Sequence, residues 1–429
     1  MADSGRDEFI RWARDACHPL LNTGATTGTV DIEPLRVIVG NASIVGLGES
    51  WHSSAQLLTM KNELVLALVD HFGFNAIAFE GGVPASNDVD AYLRGDTENT
   101  PAAVLRKFGQ PMWLNPQTVA LMESLRTWNA SRGAQDPIRA FGVDPAYPGA
   151  AIGSVLSYLG RVEPDYRPPY RDLLLSVEHA LLAVPLDSSA KSAVWGSTAV
   201  YEALNTTEKE QFRFACTELI SQLEQNRSAY SFRTSAAEFE WALRQVIVIL
   251  QAHGIVSVRS RSLTEANRVR DLAFAENLVW MRDQSDSPLK IIVLAHNIHI
   301  AREPFRSAPD GPPIVSMGGY LSDWLGDEYV AIGSTVGRGR HGGDSDAGLA
   351  VVPATDAGKL ASADASNDAA LEEVGVGRFM LPLSGAPAWA STARTTRSHL
   401  EPQPEYALAR SFDAVAYVDR ITRSEPLRT

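Results

Sequence analysis

Four short apolar runs, each closed by an ionisable side chain, constrain this chain more than any other feature. Ala42-Ser-Ile-Val-Gly-Leu-Gly-Glu-Ser-Trp-His52 opens as a strand from Ser43 to Gly46 and runs, past Gly48, into a turn that carries Glu49 and His52. Asn75 to Glu80 is followed by Gly81 and Gly82, Ile138 to Asp144 by Pro145, and Lys290 to His296 by His299 three residues on. Continuous apolar runs of this length mark strands covered on both faces, as in parallel sheets. Polar groups just beyond the carboxyl ends of such strands face the crevice where these sheets bind ligands. If the four runs are parallel strands, Glu49, His52, Glu80, Asp144, His296 and His299 gather along one edge. A single Glu-x-x-His, or one carboxylate at a strand end, is a weak signal, because such a carboxylate also caps helices. Repetition at four strand ends is a stronger one, since ionisable groups are rarely buried without a partner or a task.

The segments between the runs have helical spacing. Residues 8–22 place Phe9, Ile10, Ala13 and Leu20 on or near one face, and Gly24 to Gly28 is a turn-rich break before a short helix over Asp31 to Val39. Ala55 to Phe72 reads as a helix stopped by Gly73, Ala85 to Gly95 as a capped one, and Gln117 to Asn129 as a third. Strand, helix, strand implies right-handed parallel crossovers. From Gly149 to about Asn267 the strand signal disappears, and Val155–Leu159, Tyr170–Leu182, Ser189–Leu204, Thr207–Asn226 and Ala236–His253 all favour helix. A long helix from a Thr264 cap to Met281 returns the chain to the sheet; its Arg268, Asp271, Glu276 and Asn277 read equally as site groups or as a solvated face. Met317 to Leu325 is helical, Asp327 to Gly333 a fifth strand, and Arg378 to Pro382 and Ala414 to Val418 late edge strands.

The expected fold is therefore α/β: a central, mainly parallel sheet flanked by helices, with a large all-helical insertion capping the carboxyl edge of the strands. Residues 1–148 and 264–429 form the two parts of the core and 149–263 the insertion, with a Gly/Ala/Asp-rich loop near 337–370. Arg338 and Arg340 lie among glycines at the head of that loop, but the strand, spacing and Lys of a phosphate-binding loop are missing, so a surface loop is the simpler reading.

A net charge of -13 argues against nucleic acid and against an anionic membrane surface as partners, and leaves a small molecule as the expected one. Two cysteines, Cys17 and Cys216, give no disulfide framework, and no uncharged apolar run approaches twenty residues, so a cytoplasmic protein is expected. No cofactor is called for, and the oligomeric state is not legible.

In order and spacing, these motifs resemble the erythromycin esterase family. The resemblance is carried by Gly48-Glu49-x-x-His52, Phe72-Gly-Phe with Phe79-Glu80, Phe141-Gly-Val-Asp144, Arg270-Asp with Ala275-Glu-Asn277, Ala295-His-Asn-x-His299, and Met317-Gly to Gly326-Asp. It implies a metal-independent hydrolase that opens a macrolide lactone with activated water and no covalent intermediate. By the same resemblance His52 is the general base, Glu49 its supporting carboxylate, and Glu80, His296 and His299 the remaining polar wall. Lys61 falls where the family often places a basic residue; with Trp51, Asp144 and Asn297 it completes the expected substrate contacts. The chain departs from the family at Ser53-Ser54, where Gly commonly follows the His, and at Gly81-Gly82-Val83-Pro84 after Glu80.

The residues themselves allow the same chemistry. Ester hydrolysis at neutral pH needs a base near pKa 7, a water within its reach and donors for the oxyanion, and a His–Glu pair with two further imidazoles can supply them. No Gly-x-Ser-x-Gly elbow is present, and nothing local activates Ser50, Ser53 or Ser54 as a nucleophile. Three other readings use the same groups. His52, His296, His299 and a carboxylate could form an open zinc site, although the spacing is not that of zincins. The same base and capped pocket could drive elimination, cyclisation or isomerisation in natural-product biosynthesis, or could bind an antibiotic without turning it over.

Overall fold

The run at 44–49 is the strand on which the rest of the sheet is hung. The computed structural model describes residues 4–20, 32–132, 136–145, 148–169, 171–182, 203–259, 261–284, 288–305, 312–340, 366–398 and 403–427. The turn expected at Gly24 to Gly28, most of the helix expected at Ser189 to Leu204 and most of the Gly/Ala/Asp-rich stretch lie outside the described residues. The main sheet contains β1 (His18–Pro19), β2 (Ile44–Glu49), β3 (Ala76–Gly82), β4 (Arg139–Asp144), β5 (Ile291–His296), β6 (Tyr329–Arg340), β7 (Arg378–Pro382) and β8 (Ala414–Thr422). Their spatial order is β1-β7-β8-β6-β2-β5-β3-β4. From β8 to β4 all neighbours are parallel, and β7 runs antiparallel to both of its neighbours, β1 and β8. The expected α/β class with a mainly parallel sheet is the observed one.

Every residue of β2, β3 and β5 is buried, which is why these strands read as continuous rather than alternating apolar runs. β2 continues past the expected end at Gly46 to Glu49, so the carboxylate is the strand's last residue and lies in register with His296 on β5. The chain leaves β2 toward β3 and β4 on one side and places β6 and β8 on the other, so the carboxyl ends of β2 and β5 lie at the switch in strand order where such sheets open a crevice.

Helices α1 (Ser4–Ala16), α2 (Ile32–Val39), α3 (Ala55–Phe72), α4 (Ser86–Arg94), α5 (Pro116–Arg132), α6 (Gly149–Val162), α7 (Arg171–Leu182), α8 (Thr206–Gln225), α9 (Ala236–Arg259), α10 (Leu263–Arg282) and α11 (Met317–Leu325) supply the layers. Leu35 of α2, Leu57 and Leu64 of α3, Val89 of α4 and Leu125 of α5 pack on one sheet face with Val45, Ile77 and Ile292. Phe9 of α1, Phe274 of α10 and Leu321 of α11 pack on the other with Ile44, Ala78 and Val293. Ser54 caps α3 by accepting the Leu57 N–H, and Gly73 ends it at φ 71°. The cap of α10 is Ser262, two residues before the expected Thr264, and it accepts the Glu265 N–H.

Between β4 and α10 the described residues contain helices and no strand. Ile152, Leu159, Phe212, Leu223, Phe239 and Val246 form a separate apolar cluster there. Helix α9 is long and apolar enough, by length and composition, to cross a bilayer. Its Val248 joins the sheet-side core while Ala242, Val246 and Ile249 join this separate helical cluster, the two-sided packing of a core helix. It lies along α10 and against the 83–85 turn that follows β3, on the side of the sheet where the strands end.

Candidate active site

At the end of β2, Glu49 holds two partners, one with each oxygen. Oε1 is 2.6 Å from His52 Nδ1, and Oε2 accepts from Lys61 Nζ at 2.9 Å. Lys61 is buried because it occupies the sheet-facing stripe of α3, four residues after Leu57 and three before Leu64; its ammonium lies 5.6 Å from the centre of the Trp113 ring. Burial pushes the Glu49 carboxyl up, but Lys61 and His52 together outweigh it and hold the group below the usual carboxylate range. An ionised Glu49 takes the proton-bearing Nδ1 of His52, so in the neutral ring Nε2 is the basic nitrogen. The His52 side chain is 18% exposed, against 4% for His299.

Glu80 forms the second half of the site. The β3–β4 register shifts between Phe79 and Gly82, and the resulting bulge carries Glu80. Gly81 and Gly142 are required there: a Cβ on Gly81 would lie 2.7 Å from the Phe108 ring, and one on Gly142 would lie 2.3 Å from the Gly81 carbonyl. Glu80 Oε1 is 3.3 Å from both His299 Nε2 and Arg270 Nη2, and Oε2 accepts the backbone N–H of His296 at 3.1 Å. His299 Nδ1 is 2.8 Å from Asp271 Oδ1, which also accepts the Met317 N–H at 2.9 Å. Arg270 Nη2 donates to Asp144 Oδ2 at 2.5 Å, and Gln110 Nε2 donates to the same oxygen at 3.2 Å.

Burial opposes charge on His299, yet Asp271 and Glu80 more than offset it and raise its pKa to about 10. Burial opposes charge on Glu80 too, but His299, then Arg270 and His52, hold its carboxyl well below the usual range. His299 is thus a cation at neutral pH, with both nitrogens donating to carboxylates. It is unsuited to take a proton.

The hydrogen-bond pattern assigns the tautomer of His296. Nδ1 accepts the Ile298 N–H at 3.1 Å, which leaves the proton on Nε2, 3.2 Å from the Ser50 carbonyl and 3.2 Å from Ser398 Oγ. Its ring meets His52 edge to face, with centroids 5.2 Å apart.

The structure therefore brings Glu49, His52, Lys61, Glu80, His296 and His299 to one strand edge, along with Asp144 behind Arg270. Asp144 is 0% exposed within its ion pair. Trp51 packs into the apolar core on the α3 side. Asn297 bridges β5 to β6, donating to the Ser334 carbonyl at 2.6 Å and accepting the Ser334 N–H at 3.0 Å. The solvated-face reading of α10 holds for Glu276, which is exposed, and fails for Asp271 and Asn277, which are buried; Asn277 donates to the Val143 carbonyl at 2.9 Å. Arg270, Gln110, Trp113 and Ser398 were not singled out from the sequence as site residues. For Arg270 a signal existed: it stands midway between Ala266 and Phe274 on the buried stripe of its helix. For Ser398 there was none. Among the described residues no three His, Cys, Asp or Glu side chains are arranged to hold a metal ion. The rings of His296 and His299 have their nitrogens turned to backbone, hydroxyl and carboxylate partners, so the three histidines do not present a convergent donor set.

The fold and this edge together define an α/β protein with a mainly parallel sheet whose polar centre is built from carboxylate–imidazole pairs. The chain belongs to the erythromycin esterase family, whose family model matches residues 69–421. A type II erythromycin esterase of Escherichia coli is 24% identical over 335 residues, covering 76% of this chain and 77% of that protein. A crystal structure of a Bacillus cereus protein is similar with a TM-score of 0.78 at 21% identity, over 99% of both chains. The structure of an erythromycin esterase mutant in its open conformation gives 0.64 at 21% identity, over 94% of this chain and 97% of that one.

Proposed function

We propose that this chain hydrolyses an ester or lactone of a macrolide or a related polyketide, with His52 activating water and no covalent intermediate on the protein. His52 Nε2 takes a proton from water as its oxygen attacks the acyl carbon. The tetrahedral intermediate then collapses, the acyl C–O bond breaks, and His52 returns the proton to the departing alkoxide, giving an acid and an alcohol. Glu49 fixes the ring and stabilises the imidazolium that forms, and Lys61 keeps Glu49 ionised. The carrying observation is that, of the three imidazoles, His52 alone combines a carboxylate on Nδ1 with a solvent-accessible ring, while His299 is held as a cation and His296 has both nitrogens turned to other partners. Family membership supports the ester chemistry; the altered residues after His52 and Glu80 are the reason for testing a wide substrate panel.

The test is mass spectrometry of macrolides and related polyketide lactones after incubation in isotope-labelled water. The expected product is heavier by one water, with the label in the new carboxylate. His52→Ala should fold normally and lose on the order of 100-fold or more in kcat. Loss of water from the substrate, an unchanged mass, or an active His52→Ala protein would overturn the reading.

A further inference from the structure

A segment far from every motif reaches the site. Residues 394–398 run beside the later part of β6, where Arg397 bonds to the carbonyls of Val336 and Gly337, and Thr396 and Ser398 are buried, Ser398 at 2% exposure. The segment is built in rather than draped over the surface. The Arg397 N–H donates to Asp368 Oδ2 at 2.5 Å, and its guanidinium bonds to the carbonyls of Val336 and Gly337 and approaches Glu372 Oε2 at 3.5 Å. Asn367 Nδ2 donates to Thr396 Oγ1 at 2.9 Å, and the Thr396 N–H donates to the Pro404 carbonyl at 2.9 Å.

We propose that Ser398 is a positioning residue: fixed by Arg397, it orients His296, and through His296 it orients the turn that presents His52. The proposal rests on the hydrolytic reading of His52. Its steps are three hydrogen bonds. The Ile298 N–H on Nδ1 leaves a single ring proton on His296, at Nε2, and that proton is shared between Ser398 Oγ and the carbonyl of Ser50. Ser50 lies between Glu49 and the turn carrying His52, so the ring of His296 joins the strap to the catalytic turn. Removing the Ser398 oxygen takes a partner from Nε2, loosens the ring that the Ile298 N–H still holds at Nδ1, and with it loosens the Ser50 carbonyl the ring anchors. Because Ser398 is buried, the loss falls on the alignment of His52 rather than on substrate affinity.

Ser398→Ala should lower kcat about 10-fold to 100-fold, the scale of a sub-ångström to ångström misplacement, with KM nearly unchanged. Ser398→Thr, which keeps the hydroxyl, should recover most of the lost rate. In nitrogen-15 histidine spectra, with the His296 signal identified by its absence in His296→Asn, Ser398→Ala should speed exchange of the ring N–H with solvent. An unchanged His296 signal, a changed signal with unchanged kcat, or a rise in KM alone would overturn the proposal. If the wild-type protein hydrolyses no ester while Ser398→Ala still perturbs the His296 signal, the hydrolytic reading fails and the hold of Ser398 on His296 stands.

Discussion

Ser53 shows at the scale of one residue how the turn carrying His52 is held. Its φ is 55°, and it is one of two non-glycine residues with positive φ among the described residues. The left-handed region costs an L residue roughly 1–2 kcal/mol, because its Cβ crowds the following carbonyl. The turn thus asks of Ser53 a backbone that glycine adopts freely. Here the strained conformation is supported from the C-terminus, where the Ser424 N–H donates to the Ser53 carbonyl at 2.7 Å and Arg423 bridges to Ser54. Ser53→Gly is therefore expected to raise stability by up to ~1 kcal/mol, part of the gain being offset by the greater freedom of glycine in the unfolded chain. Urea denaturation of Ser53→Gly beside Ser53→Ala checks this, since the alanine keeps the strain; equal midpoints for the two would mean the turn is not strained. The departure at Ser53 was plain in the sequence. The backbone conformation that gives it meaning was not, because φ depends on how the turn is tied to Arg423 and Ser424, at the far end of the sequence.

At the scale of elements, the strand ends were legible and the helix faces were less so. β2, β3, β4 and β5 announced themselves because burial on both faces removes the polar alternation that blurs other strands, and a charged residue closing such a run is conspicuous. Asp271 and Asn277 on α10 were ambiguous because helical spacing alone does not say how wide the buried stripe is. The extension of β6 to Arg340 was hidden by glycines and arginines that have little strand propensity and are paired by β8. The fit between β2 and the turn after β5 offers a sharp test of the edge. A Cβ on Gly48 would lie 2.2 Å from Asn297 Oδ1 and 2.8 Å from Ile300 Cδ1. Gly48→Ala must displace Asn297 and weaken both of its bonds to Ser334, so a loss of about 3 kcal/mol is expected from overpacking and the lost hydrogen bonds. Chemical denaturation measures it, and a variant within ~0.5 kcal/mol of the parent would show that this edge yields easily.

Across the whole molecule, the buried charges of the site tie together parts of the chain that folding must bring from far apart. Glu80 comes from β3, Asp144 from β4, Arg270 and Asp271 from α10, and His299 from the turn after β5, with ion-pair contacts joining all five. Such a cluster gives the fold a characteristic dependence on pH. The pKa of His299 is raised from 6.5 to about 10, so between those values the native protein holds a proton that the unfolded chain releases. Its stabilising contribution is full below about pH 6.5 and is lost as pH rises through about 10, with a limiting slope of about 1.4 kcal/mol per pH unit for one proton. Glu80 works in the opposite sense: its carboxyl is depressed, so its contribution is present above about 4.5 and is lost as pH falls toward its native pKa. Urea midpoints measured from pH 6 to pH 10 should therefore fall with rising pH in the parent protein and fall less steeply in His299→Gln, which lacks the titrating ring. The comparison rests on slopes, so a uniformly less stable variant is still informative. Parallel slopes would mean that His299 gives up its proton at its ordinary pKa. In that case the ring would be neutral at pH 7, and the assignment of His52 as the working base would lose the contrast that singles it out.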